Sequence, residues 1–106
     1  MQQAFRIADT GIYKGEKPVR NPLYKRWIKR FACIACGSTR MVDPAHTGRH
    51  TPSQKSSDLS CIPLCRKCHE AFDANPRDFA LVHHLDIPAL IQFFNHLWFL
   101  KQERTA

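Results

Sequence analysis

Apolar and basic positions interleave at helical spacing early in the chain. Leu23, Tyr24, Trp27, Ile28 and Phe31 recur every three or four residues, while Lys25, Arg26, Lys29 and Arg30 fill the other face. Asn21-Pro22 just ahead reads as an N-cap followed by proline at the first helical position. Residues 1–20 are polar, include Gly11, Gly15 and Pro18, and hold no sustained period, so an extended basic arm is expected there. Residues 41–46 and 59–64 read as two short strands joined by a polar loop over 47–57. A helix is expected from Arg66 to about Asn75. Pro76 and Pro88 then punctuate two more helices, over 77–86 and 88–102. Between Pro88 and Lys101 only Gln92, Asn95 and His96 are clearly polar, so this last helix must be buried on most sides. One face is expected to pack along the Leu23–Phe31 stripe. Outer residues such as Phe94 and Trp98 would offer a self-association surface, and a homodimer through this helix is expected from them.

Length changes the picture little: 106 residues suit a single domain, here 21–106, with a core that a structural metal would help. Charge changes it more. Residues 1–55 hold eleven Lys/Arg against three Asp/Glu, and the remainder five against six, for a net +7. A basic first half suits a polyanion, most simply nucleic acid, although a solvated basic face would look the same. The first residues lack the apolar core of a signal peptide, and no apolar run approaches a membrane span. A cytoplasmic protein is therefore expected, without membrane contact. Thiols stay reduced in that compartment, which favours metal over disulfides for paired cysteines.

Such pairs are present. Cys33-Ile34-Ala35-Cys36 and Cys65-Arg66-Lys67-Cys68 supply four thiolates from separated segments, the donor set of a structural zinc. Cys61 is left over, and its place in an apolar strand suggests a small buried side chain. Cys65-x-x-Cys68-His69 also matches a haem-attachment pattern, but that reading leaves Cys33 and Cys36 without a task. A zinc deaminase fails on the residues, since no His-x-Glu occurs anywhere in the chain. His69 and Asp73 lie four apart on the expected helix, a half-site for a divalent ion, or equally a surface polar pair. The zinc clamp would bring His46, at the end of the first strand, opposite that helix. A lone histidine there could also be merely structural.

Together these residues resemble the HNH nucleases, with their ββα-metal fold, and in particular short phage and prophage members with two zinc-binding Cys-x-x-Cys turns. The resemblance covers about residues 22–86. It rests on Asp43-Pro44-Ala45-His46, Lys55-Ser56-Ser57-Asp58 and Pro63-Leu64-Cys65-Arg66-Lys67-Cys68-His69. It implies an α+β domain, a ββα-metal core pinned by zinc with flanking helices, acting in a bacterial host cell. The implied catalytic set is His46 as general base, Asp58 at the middle position and His69. A catalytic Mg²⁺, Mn²⁺ or Ni²⁺ would rest on His69, Asp73 and Asp43. Imidazole, titrating near pH 6.5, suits the base role. Lys25, Arg26, Lys29, Arg30, Arg49 and Lys55 would hold the phosphate backbone of DNA.

Two departures stand out. Many members carry a ligand directly before the base, where this chain has Ala45; Asp43 shares that strand face and would substitute. The middle position is Asp rather than Asn, and an ionised Asp can accept but not donate. The reading is a metal-dependent DNA endonuclease. Its rival is a non-catalytic, zinc-stabilised nucleic-acid-binding module, a decayed HNH domain. A zinc-knuckle adaptor for proteins would draw on the last helix instead.

Overall fold

A computed structural model describes residues 19–48 and 57–105. Among the described residues the architecture is mixed α+β, with four α-helices and one two-stranded sheet. Most of the arm expected over 1–20, together with Arg49, Lys55 and most of the 47–57 loop, lies outside the described residues.

Helix α1, Pro22–Ile28, starts as its sequence dictates: the Asn21 side chain accepts from the Tyr24 N–H at 3.0 Å, and Pro22 follows the cap. Tyr24 and Ile28, four apart, are its buried residues. Strands β1, Val42–His46, and β2, Cys61–Cys65, pair antiparallel, with Val42 opposite Cys65 and His46 opposite Cys61. Pro44 faces Pro63 in that register. Neither proline has an N–H to donate, so this must be a non-hydrogen-bonded position of the ladder.

Every residue of β2 is buried. Successive strand residues point to opposite faces, so both faces of β2 are covered, and α1, α2 and α4 all pack against it. Helix α2, Arg66–Ala74, follows β2 without a break. Asn75 then ends α2 and caps α3, Pro76–Val82, by accepting from the Asp78 N–H at 3.2 Å. Ala45, Ile62, Leu64, Cys65, Cys68, Phe72 and Phe79 form one core cluster.

Helix α4, Ile87–Thr105, builds the second cluster. Phe94 and Trp98 pack on Tyr24 and Ile28 of α1, with edge-on ring contacts of 5.3 Å between Tyr24 and Trp98 and 5.1 Å between Phe31 and Phe94. Packing along the α1 stripe is therefore as expected, but Phe94 and Trp98 belong to the inside. The exposed large residues of α4 are Phe93, Phe99 and Leu100, and any self-association through this helix would have to use them. Among the described residues no helix is long and apolar enough to cross a membrane.

Boundaries of β2, α3 and α4 differ from the sequence reading. The second strand starts at Cys61, because Asp58–Ser60 winds into a 3-10 turn capped by Ser57, whose hydroxyl accepts from the Leu59 N–H at 3.1 Å. Helix α3 stops at Val82 instead of 86: His84 takes φ +55, and the Leu85 N–H turns back to the Ala80 carbonyl at 2.9 Å. Helix α4 starts one residue before Pro88, with the Asp86 carboxylate accepting from the Ala89 N–H at 3.1 Å, and runs on to Thr105.

Candidate functional site

The Cys33–Gly37 segment closes into a turn through its own backbone. The Gly37 N–H reaches the Cys33 carbonyl at 2.8 Å, and the Cys33 N–H reaches Ser38 at 2.8 Å. Gly37 sits at φ +81, a left-handed conformation that glycine adopts without strain. The Ile34 N–H then bonds the Pro63 carbonyl at 2.9 Å, which lays the turn beside β2 and against Cys65. The sulfurs of Cys33, Cys36, Cys65 and Cys68 all lie within 4.8 Å of one another. All four are free thiols, and Cys36 and Cys65 stand 3.7 Å apart. Sulfurs about 2.3 Å from a tetrahedral zinc would be separated by about 3.8 Å. The cluster therefore fits a metal such as zinc.

Its electrostatics agree. Burial opposes ionisation of Cys33, yet backbone N–H groups of Cys65, Cys36 and Ala35 outweigh it and bring that thiol down to about 7. Burial and the neighbouring thiols push Cys68 up instead. Four clustered thiolates need a cation to neutralise them. Cys61 stands apart as the buried residue expected: burial first, then the Asp58 charge, pushes its thiol up to about 12, so it stays protonated.

At the far end of β1, His46 Nε2 meets Asp58 Oδ1 at 2.8 Å. The Asp58 side chain is only 2% exposed, and burial by itself would raise its pKa. The hydrogen bond to His46, the Asn21 N–H, and the charges of Lys25 and Arg20 outweigh that and hold the carboxyl below its ordinary value. Arg20 Nη1 shares Oδ1 at 3.1 Å, and the Asn21 N–H takes Oδ2 at 2.8 Å. An ionised carboxylate only accepts, so His46 Nε2 carries the hydrogen, and in the neutral ring the lone pair lies on Nδ1.

The second histidine has a different setting. His69 Nδ1 lies 3.1 Å from Asp43 Oδ2, and Nε2 lies 3.4 Å from Asp73 Oδ2, the pair four apart on α2. Arg66 grips both oxygens of Asp43, at 3.0 and 3.3 Å. That bond, opposed by burial and aided by His69, holds Asp43 below the ordinary carboxylate range. A neutral imidazole has one N–H for two carboxylates, so it can donate to only one of them at a time. Asp43 is taken up by Arg66 and His69 Nδ1, and the exposed Asp73 carboxylate lies beside the other ring nitrogen.

The residues read from sequence thus fall into three groups: the four cysteines, His46 with Asp58, and His69 with Asp43 and Asp73. The last two flank β1 differently, since alternation sends Asp43 and Ala45 to one face and His46 to the other. Arg26 on α1 and Lys29 and Arg30 just past its end are exposed, and Lys25 is half-buried beside Asp58. Sequence reasoning missed Arg20 and Arg66, the partners of the two aspartates, because both pairings cross long stretches of chain.

A family model described as a protein of unknown function, DUF968, matches residues 14–98. No curated protein and no solved structure matches the chain.

Proposed function

We propose a function for this chain, which belongs to the DUF968 family, on the chemistry of its own side chains: a metal-dependent endonuclease of HNH type that hydrolyses DNA phosphodiester bonds. The observation that carries this reading is the pairing of His46 with an ionised, buried Asp58 at 2.8 Å. His46 would take a proton from water, and Asp58 would stabilise the imidazolium that forms. The resulting hydroxide would attack phosphorus in line, and the sugar oxygen would depart. His69 Nε2 and Asp73 would hold a Mg²⁺, Mn²⁺ or Ni²⁺ ion, whose role is to offset charge on the phosphate and the leaving oxygen. Asp43 and Arg66 would keep the His69 ring turned for that purpose. Strand β1, strand β2 and helix α2 follow one another in the order the HNH resemblance calls for, and the four cysteines would fix their junctions. The basic face of α1 would follow the backbone without reading sequence.

The opposed directions of Asp43 and His46 on β1 favour a second reading, a zinc-stabilised nucleic-acid-binding module without catalysis. Supercoiled plasmid separates the two. The wild type should nick it with at least one of Mg²⁺, Mn²⁺ or Ni²⁺, and His46→Ala should nick at least roughly a hundredfold more slowly with its zinc retained. Wild-type protein that binds duplex DNA and never nicks would leave only the module. Undiminished nicking by His46→Ala would remove His46 from the mechanism.

A further inference from the structure

Asn95 sits in the middle of α4, outside the sheet and α2. Its Nδ2 donates to the Tyr24 hydroxyl oxygen at 2.8 Å and to the Leu59 carbonyl at 2.9 Å. Leu59 is the central residue of the 3-10 turn that begins with Asp58. Tyr24 is fully buried on α1, and its N–H is held by the Asn21 side chain, while the backbone N–H of Asn21 binds Asp58 Oδ2. The bonds form a closed circuit: from the Asp58 carboxylate through Asn21 and Tyr24 to Asn95, then back through Leu59 to the Asp58 backbone.

We propose that Asn95 is a positioning residue for the His46–Asp58 pair, tying the carrier turn of Asp58 to α1 and α4. The proposal rests on the reading of His46 as general base. A carboxylate that must meet Nε2 at 2.8 Å tolerates little displacement of its own backbone, and a misplacement of about 1 Å can cost about a hundredfold in rate. The amide suits the task because its two N–H groups can serve two acceptors at once. Leucine would fill the same space and serve neither. Aspartate would keep the shape and lose the donor.

The test compares Asn95→Leu, Tyr24→Phe and Asp58→Ala, singly and with Asn95→Leu combined with Asp58→Ala. Asn95→Leu should lower kcat for plasmid nicking about tenfold or more and leave KM within about twofold. Tyr24→Phe, which cuts the tie to α1 but keeps the Leu59 bond and the ring packing, should lower kcat clearly less than Asn95→Leu does. Added to Asp58→Ala, Asn95→Leu should have little further effect, because both act through one group. Full additivity, or an equal loss in Tyr24→Phe, would mean that Asn95 serves general stability, and the proposal would fall. Should Asn95→Leu lose its fold, Asn95→Asp replaces it in the same comparison.

A second readout needs no cleavage. The His46 ring resonances should move in Asn95→Leu toward their positions in Asp58→Ala, while those of His69 and His83 stay in place. Unmoved His46 resonances would overturn the proposal. Absence of nicking in the wild type, with the His46 shift observed, would remove the nuclease reading and leave the positioning intact.

Discussion

Asp58 gathers contacts from two separate parts of the chain: Arg20 and Asn21 on one side, His46 on the other. The HNH resemblance calls for asparagine at this place, and the surroundings explain why an acid is stable there. Its folded-state pKa lies below the ordinary value of 3.8, so ionised Asp58 stabilises the fold above that pH. The contribution fades as pH falls through the lower folded value. Urea midpoints measured between about pH 5 and 2.5 should therefore decline more steeply in the wild type than in Asp58→Asn, each compared with its own value at pH 5. Acid release of metal from the thiolates affects both proteins alike and cancels in the comparison. Parallel curves would mean that the carboxylate is no better stabilised folded than unfolded. At this scale the sequence was legible only in part. His46 and Asp58 could be named from their motif neighbours. Arg20, 38 residues from Asp58, and Asn95, 71 residues from Tyr24, could not, because a hydrogen bond between distant segments leaves no local pattern.

The local signals at α1 and α2 carried well to the scale of elements. Asn21-Pro22 starts α1, and the Cys-x-x-Cys motif at 65–68 straddles the β2–α2 junction. Period-based reading failed where short polar residues compete for the backbone. Ser57 caps a 3-10 turn in a stretch whose apolar content looked like strand, and His84 reverses the chain before the helix expected over 77–86 is complete. Helix α2 carries a prediction of its own. It bears Cys68 on its buried side and His69 and Asp73 toward solvent, with Asp73 62% exposed. Asp73→Ala should leave the zinc in place, since it touches none of the sulfurs. It should weaken Mn²⁺ binding, read by isothermal titration, and lower nicking in step. A variant that loses zinc would show that the two metals are not separable along the helix.

Across the whole molecule, four sulfurs join what the chain order keeps apart. Cys33 and Cys36 precede the sheet, Cys65 closes β2, and Cys68 lies within α2. Cys33, Cys65 and Cys68 are also members of the first core cluster, so the cysteine group and that cluster are one body. Ile34, between the first two ligands, packs against both clusters and couples this body to the aromatic one on α1 and α4. Both tryptophans, Trp27 and Trp98, belong to the aromatic cluster, in ring contact at 5.2 Å. They report on the cluster that holds none of the four cysteines. A chain of 106 residues with a shared residue between its clusters should unfold as one unit. Protein prepared without added metal should hold about one zinc per chain. Removing it with a strong chelator at neutral pH should then shift tryptophan emission to the red and reduce far-UV ellipticity together, with a single midpoint, and readdition of zinc should restore both. If ellipticity falls while tryptophan emission stays, the α1–α4 pair stands without the metal. If neither moves, the fold does not depend on the cluster.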